Sequence, residues 1–280
     1  MELGFQMMFG YTGAEIPGFD MRKLDRIASE RGQYHYMAKE FKVSEEEWEI
    51  VKSWYDEAIL YLDYSIGELT HFLQREGISE NTLLVLTSDH GENFGEHGLA
   101  SHQFCLYDSL IHVPLILVYP DVIPQGRRIS SLVSHTDIFP TILDLLNIEC
   151  DVQGIQGKSL VPFGERTVHD FICAECGESV RSRLEPGLRS KLEPYDKGSK
   201  CLRTEEYKYI ISADQKEELY DIKENPSEKV NIAEKHPDKT TSFREQLQDT
   251  VDTSFFGPKE FPHKEERSEI LKRLQSLGYI

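Results

Sequence analysis

The apolar run Leu83-Leu84-Val85-Leu86 stops abruptly at Thr87-Ser88-Asp89-His90-Gly91-Glu92-Asn93-Phe94-Gly95-Glu96-His97-Gly98. That junction constrains the fold more than any other part of the chain. Successive apolar side chains suit a strand covered on both faces, and the glycine-rich stretch after it reads as a loop at the strand's C-terminal end. In layered α/β sheets, ligands bind at such ends. Asp89 and His90 put a hard and a borderline donor side by side on one rigid mount, with Gly91 giving the backbone room to turn. His97 and His102 follow in the same loop. Taken alone, these residues leave two readings open: a metal or oxyanion site, or a loop-capping Asp with a hydrogen-bonded core His.

The flanking segments supply the layers. Ser44 with Glu47 three residues on has the form of a capping box, predicting a helix that runs to Gly77. Its apolar face is spelled by Val51, Ala58, Leu62, Ile66, Leu69 and Leu73. Val113-Pro-Leu-Ile-Leu-Val118 is a second buried strand. His135-Thr136-Asp137-Ile138-Phe139-Pro140 opens another helix, with Thr136 or Asp137 as N-cap and Pro140 in its first turn. Residues 1–43, punctuated by Gly10, Gly13, Pro17 and Gly18, read as irregular.

After about Phe163 the pattern shifts to short strands at Phe171–Glu175, Lys200–Arg203, Tyr207–Ser212 and Glu218–Ile222. They predict a small antiparallel sheet, followed by polar helices after Pro237 and Lys264. The expected division is residues 1–165 for the α/β part and 166–280 for the smaller one. The near-repeat Arg181–Leu188 and Arg189–Asp196 reads as a mobile loop or lid.

Composition narrows the function. A net charge of -18 disfavours nucleic acid and anionic membranes, whose recognition needs clustered Lys and Arg. No apolar run approaches the roughly 20 residues of a membrane helix. Five cysteines without dense spacing make a poor disulfide framework, and Met1-Glu-Leu-Gly-Phe lacks the basic start of a signal peptide. Both point to a reducing, cytoplasmic setting. Cys173-Ala-Glu-Cys176 is a lone pair of thiols with no second pair at zinc spacing, so it weighs toward structure.

Larger motifs decide between the two readings of the loop. Asp89-His-Gly-Glu, Gly95-Glu-His-Gly-Leu99, Tyr107-Asp-Ser-Leu-Ile-His-Val-Pro-Leu-Ile116 and Asp137-Ile-Phe-Pro-Thr-Ile-Leu-Asp-Leu-Leu146 occur in order, then Gly157-Lys-Ser-Leu160. Leu202-Arg-Thr-Glu-Glu-Tyr-Lys-Tyr209, Glu218-Leu-Tyr-Asp221 and Asn225-Pro-Ser-Glu-Lys-Val-Asn231 follow. Over about residues 55 to 235, this series resembles the sulfatase family of the alkaline phosphatase superfamily. The resemblance implies an alkaline-phosphatase-like α/β/α sandwich, incomplete at its N-terminal side, with a small C-terminal antiparallel α+β subdomain. It implies that Asp89 and His90 are metal ligands, the family's second pair, for a divalent ion: calcium first, then manganese, magnesium or zinc. It places His102 where family members commonly carry the Lys that holds the sulfate oxyanion. A His there departs from the pattern, but when protonated it can still donate to an oxyanion or act as a general acid. His97 falls at a variable position, as a substrate contact or a loop-packing side chain; His112 and His135 read as structural. The implied substrate is a small-molecule or carbohydrate sulfate ester.

The sequence contains no Cys-x-Pro-x-Arg or Ser-x-Pro-x-Arg segment, whose first residue becomes the family's formylglycine nucleophile, and no first metal pair. The resemblance is therefore to the C-terminal half to two-thirds of a sulfatase, and sulfuric ester hydrolysis is expected to be impaired in this chain alone. Association with a chain carrying the missing N-terminal half is one expectation. A phosphoesterase or phosphonate monoester hydrolase, and a non-catalytic remnant or split-enzyme half, are the other readings.

Overall fold

The computed structural model describes residues 18–150, 154–164, 167–177 and 184–251. Helix α3, Glu45–Arg75, begins where the sequence says it should. Ser44 Oγ accepts from Glu47 N at 3.2 Å, and the Glu47 carboxylate accepts from Ser44 N at 2.8 Å, so both arms of the capping box are made. Ser44→Ala should cost about 1 kcal/mol, read as a lower urea midpoint with unchanged slope; an unchanged midpoint would show that the cap contributes nothing.

Ahead of α3, residues that read as irregular form two short helices, α1 (Met21–Ala28) and α2 (Glu30–Met37). Asp20 and Ser29 cap them, accepting from Arg22 N and Gly32 N. Helices this short have little stability of their own and leave little periodicity to read; packing makes them. Leu24 and Ile27 are buried with Trp48 and Val51 of α3. Tyr34 and Met37 are buried with Leu188 and Leu192 of a later helix, α6 (Pro186–Leu192). Within the near-repeat, Pro186–Leu192 is thus helical and docked, not a mobile loop; residues 181–183 lie outside the described residues.

Strand β1 (Leu84–Thr87) pairs antiparallel with β4 (Leu115–Val118), Leu84 opposite Val118 and Thr87 opposite Leu115. Between them lie the two-residue strands β2 (Asn93–Phe94) and β3 (Ala100–Ser101), and the short helix α4 (Asp108–Ile111). Helix α5 (Ile138–Leu145) follows a 3-10 turn at His135–Asp137. Asp137 is its N-cap residue, one of the two the sequence offers, and Ser134 caps the 3-10 turn ahead of it, its N–H donating to the Asp137 carboxylate at 2.7 Å. One face of the β1–β4 pair packs Leu83, Leu115 and Leu117 onto Leu145, Leu160 and Phe163.

The other face is bare. Ile116 is 50% and Val118 44% exposed, so the strands expected to be buried on both faces are buried on one. Helix α3 departs in the same way: Trp48 and Val51 are buried, but Leu60, Tyr61 and Leu62 are 69%, 73% and 56% exposed. The apolar residues are present in the sequence, but of the stripe expected on α3 only Val51 is buried, with Leu62 and Leu69 exposed, because the described residues supply no layer to cover it.

The C-terminal sheet is an antiparallel meander of β5 (Ile172–Cys176), β6 (Ser199–Arg203), β7 (Tyr207–Ser212) and β8 (Glu217–Asp221), in that order. Helix α7 (Pro237–Thr250) buries Phe243 and Leu247 against Leu202, Tyr209 and Leu219. The helix expected after Lys264 lies outside the described residues. Alternate residues of a strand face opposite ways, so Cys173 joins the α7 side and Cys176 the side facing Leu106. The two thiols therefore share neither a face nor a ligand.

Candidate active site

The site is built at the junction where β1 ends. Thr87 Oγ1 donates to the Pro114 carbonyl at 2.8 Å and lies 3.3 Å from His135 Nε2, which brings His135, read as structural, to the strand end. Ser88 Oγ donates to the His90 carbonyl, and Asp89 Oδ1 accepts from His90 N at 3.0 Å, so the turn is held by its own side chains. Gly91 N donates to the Leu110 carbonyl at 2.8 Å, tying the turn to α4.

These bonds determine which atoms are left to do chemistry. His90 Nδ1 is 2.8 Å from the Gly91 carbonyl, which makes it the protonated nitrogen and leaves Nε2 with a free lone pair. The free Nε2 lies 3.6 Å from Asp89 Oδ2, the oxygen not used by the turn. A carboxylate oxygen and an imidazole nitrogen at that separation suit two neighbouring ligands of one ion, so the pair fits a divalent metal. Among the described residues no cluster of three or more His, Cys, Asp or Glu side chains gathers there. The candidate ligand set among the described residues is therefore the pair alone.

The hairpin formed by β2 and β3 carries the next residues. Asn93 opposes Ser101 and Phe94 opposes Ala100. Asn93 is fully buried; it donates to the Ser101 carbonyl and accepts from Ser109 Oγ at 2.7 Å, which locks the hairpin onto α4. The His102 ring stacks on His90 with centroids 4.3 Å apart and planes 15° from parallel. The Glu92 carboxylate beside His102 raises its pKa above the ordinary histidine value, against the opposing effect of burial. That environment favours the cationic ring, the form able to donate to an oxyanion.

His97 sits elsewhere. It takes a left-handed conformation, φ 55°, and stacks on Tyr107 at 3.7 Å. Loss of solvent around the ring holds its pKa below the usual value. It borders a cavity of about 220 Å³ against the C-terminal sheet, lined also by Tyr107, Tyr195, Ser199 and Glu218 and by neither His90 nor His102. Glu218 accepts from Tyr107 and Lys216 at 2.8 and 2.7 Å, and also from Tyr220. Burial pushes the Glu218 carboxyl up, but those donors outweigh it and leave it below the usual range. Of the four residues singled out in the sequence, the structure thus brings together Asp89, His90 and His102. The sequence motifs contain both Glu92 and Ser109, but sequence reasoning gave neither a role. The signal for Glu92 was the hairpin register, which the short strands concealed.

Residues 29–148 match the family model described as Sulfatase. Arylsulfatase K from Bos taurus is 28% identical over 242 residues, covering 85% of this chain and 43% of the relative. A sulfatase from Formosa agariphila is 28% identical over 195 residues, covering 69% and 34%. Among solved structures, a protein in complex with its substrate D-glucosamine-2-N,6-O-disulfate superposes with a TM-score of 0.62 at 28% identity, covering 73% of this chain and 41% of that one. A phosphonate monoester hydrolase from Agrobacterium radiobacter gives 0.64 at 26% identity, covering 74% and 42%. A further sulfatase-like structure from Bacteroides thetaiotaomicron, 21% identical with a TM-score of 0.67, adds to the fold assignment alone. The fold is the alkaline-phosphatase-like α/β architecture, and the chain spans about two-fifths of the length of the first relatives it matches.

Proposed function

We propose, from the premise that this chain belongs to the sulfatase family, that it carries one half of a site for hydrolysing sulfuric esters: a metal-ligand pair and an oxyanion donor. The observation that carries this reading is the convergence of Asp89 Oδ2 and His90 Nε2, 3.6 Å apart, with Asp89 Oδ1 and His90 Nδ1 already engaged in holding the turn. A divalent ion, if held there, would supply positive charge to polarise a sulfate oxygen. Asp89 and His90 bind it, and His102 donates to a second oxygen. Calcium is the first candidate for the ion; the imidazole donor makes manganese and zinc the informative comparisons.

A small-molecule or carbohydrate sulfate ester is the proposed substrate class, supported by the neighbour solved with a disulfated glucosamine. The nucleophile would come from polypeptide outside these 280 residues, since no serine or cysteine here has the required context. The bare face of β4 and the exposed apolar residues Leu60, Tyr61 and Leu62 of α3 support a partner polypeptide that covers them.

Titration calorimetry and aryl ester assays test this reading. The chain should bind manganese or calcium weakly, with a dissociation constant on the order of 1 mM, because water must fill most of the shell. Asp89→Ala or His90→Ala should abolish that binding, and the chain alone should not turn over 4-nitrophenyl sulfate or phenylphosphonate. Ion binding indifferent to both substitutions would sink the metal assignment. Sulfate ester turnover lost in Asp89→Ala would overturn the half-site reading, and turnover of the phosphonate alone would move the chain to the phosphonate branch.

A further inference from the structure

We propose that Glu92 is a positioning residue: accepting from His102 Nδ1, it fixes the ring's orientation, and the tautomer of the neutral ring, so that Nε2 is the one free ring nitrogen and the atom that donates when the ring is protonated; this rests on the reading of His102 as an oxyanion donor. The hairpin brings the two together. With Asn93 opposite Ser101 and Phe94 opposite Ala100, the next step of the register sets Glu92 opposite His102. Across that step, Glu92 Oε2 lies 3.1 Å from His102 Nδ1. Stacking on His90 then restrains the plane of the ring. A hydrogen bond at one nitrogen and a stacked face together leave little freedom at χ1 and χ2.

The carboxylate is expensive where it stands. Its side chain is 12% exposed, and Oε1 is buried with no hydrogen-bond partner among the described residues. Leaving a buried acceptor unsatisfied costs on the order of 1–3 kcal/mol. A position used only for packing would be relieved by an apolar side chain, whereas one that must hold a neighbouring imidazole proton needs an acceptor. The same arrangement recurs at His90, whose Nδ1 is held by the Gly91 carbonyl. Both stacked rings therefore have Nδ1 occupied and Nε2 available, one by a backbone acceptor and one by Glu92.

Nitrogen-15 NMR of the histidine rings in the whole chain tests this, at alkaline pH where the ring is neutral. Free histidine prefers the proton on Nε2. Wild-type His102 should instead carry it on Nδ1. Glu92→Gln, whose side-chain carbonyl still accepts, should keep that pattern. Glu92→Leu should return His102 to the ordinary preference, with the His169 and His135 signals unmoved as a fold control. A wild-type His102 protonated on Nε2, or a Glu92→Leu ring that keeps its proton on Nδ1, overturns the proposal. If Glu92→Leu does not fold, the wild-type and Glu92→Gln spectra still decide it, since a Glu92→Gln ring reverting to Nε2 would equally defeat it. The measurement needs neither metal nor turnover. Loss of the metal assignment would leave it readable, and a freely tautomerising His102 would defeat the proposal even if ions bind at Asp89.

Discussion

Lys208→Met should destabilise the protein by about 3–5 kcal/mol, the usual cost of stranding a buried charge by removing its partner, and lower Tm by roughly 10 °C. Lys208 projects from β7 with its side chain wholly buried, Nζ 2.6 Å from Asp108 Oδ1 and 2.8 Å from Glu228 Oε1. Arg203 approaches the other oxygen of Asp108 at 3.6 Å. Glu228 Oε2 in turn accepts from Asp108 N at 2.6 Å, capping α4. One ammonium thus ties the C-terminal sheet to the helix against which the Asp89–Gly91 turn rests. Methionine matches the stem in volume and cannot match the charge, so Glu228 would be left in a low-dielectric setting without its cation.

The sign of the pH dependence follows. Burial already pushes the Glu228 carboxyl up, with Lys208 pulling it back. Without Lys208 its folded pKa rises further above the unfolded value. A carboxyl raised in this way carries no penalty while protonated, and destabilises increasingly as pH climbs through its folded pKa. The deficit of Lys208→Met, read from urea denaturation, should therefore be larger near pH 8 than near pH 5. Adding Glu228→Gln, which still accepts from Asp108 N, should recover part of it. A deficit that is flat with pH, or a Tm within a degree of wild type, would show that the buried cation is not what holds these elements together.

Lys208 also illustrates what a single sequence conceals. The local signals were legible: the Ser44 cap, the strands β5 to β8 and helix α7 all stand within a residue or two of where alternation and capping place them. These are decided by near neighbours in the chain. What escaped notice depends on contacts distant in sequence. Helices α1 and α2 exist because α3 and α6 cover them. The Tyr207-Lys208-Tyr209 stretch alternates as an ordinary strand would, and nothing in it says that Asp108 and Glu228 wait on the inward side of Lys208. The site divides the same way. Asp89 and His90 are adjacent in sequence and converge in space, whereas the Glu92–His102 pair needed the register of a hairpin with two-residue strands.

Gly91→Ala should lower stability by about 3 kcal/mol, the upper range for forcing atoms into a filled space, and should remove divalent-ion binding at Asp89 and His90. The sequence reading gave Gly91 freedom to turn, but its structural constraint is close approach. A Cβ at Gly91 would lie 2.0 Å from the Ser109 carbonyl oxygen, a backbone atom of α4 that no side-chain rotation can withdraw. The hydrogen bond from Gly91 N to the Leu110 carbonyl draws the two segments to that distance. Relief requires the turn to lift from α4, which moves Asp89 and His90 with it and opens the 3.6 Å spacing on which the proposed ion binding depends. Gly98 supplies the control. It has φ +73° and open space around its Cβ position, so Gly98→Ala pays only the left-handed backbone penalty of about 1 kcal/mol and should leave ion binding intact. Calorimetric ion titration of both variants separates the causes. Equal, small effects would mean that the turn yields without strain, and that Asp89 and His90 do not need α4 behind them to converge.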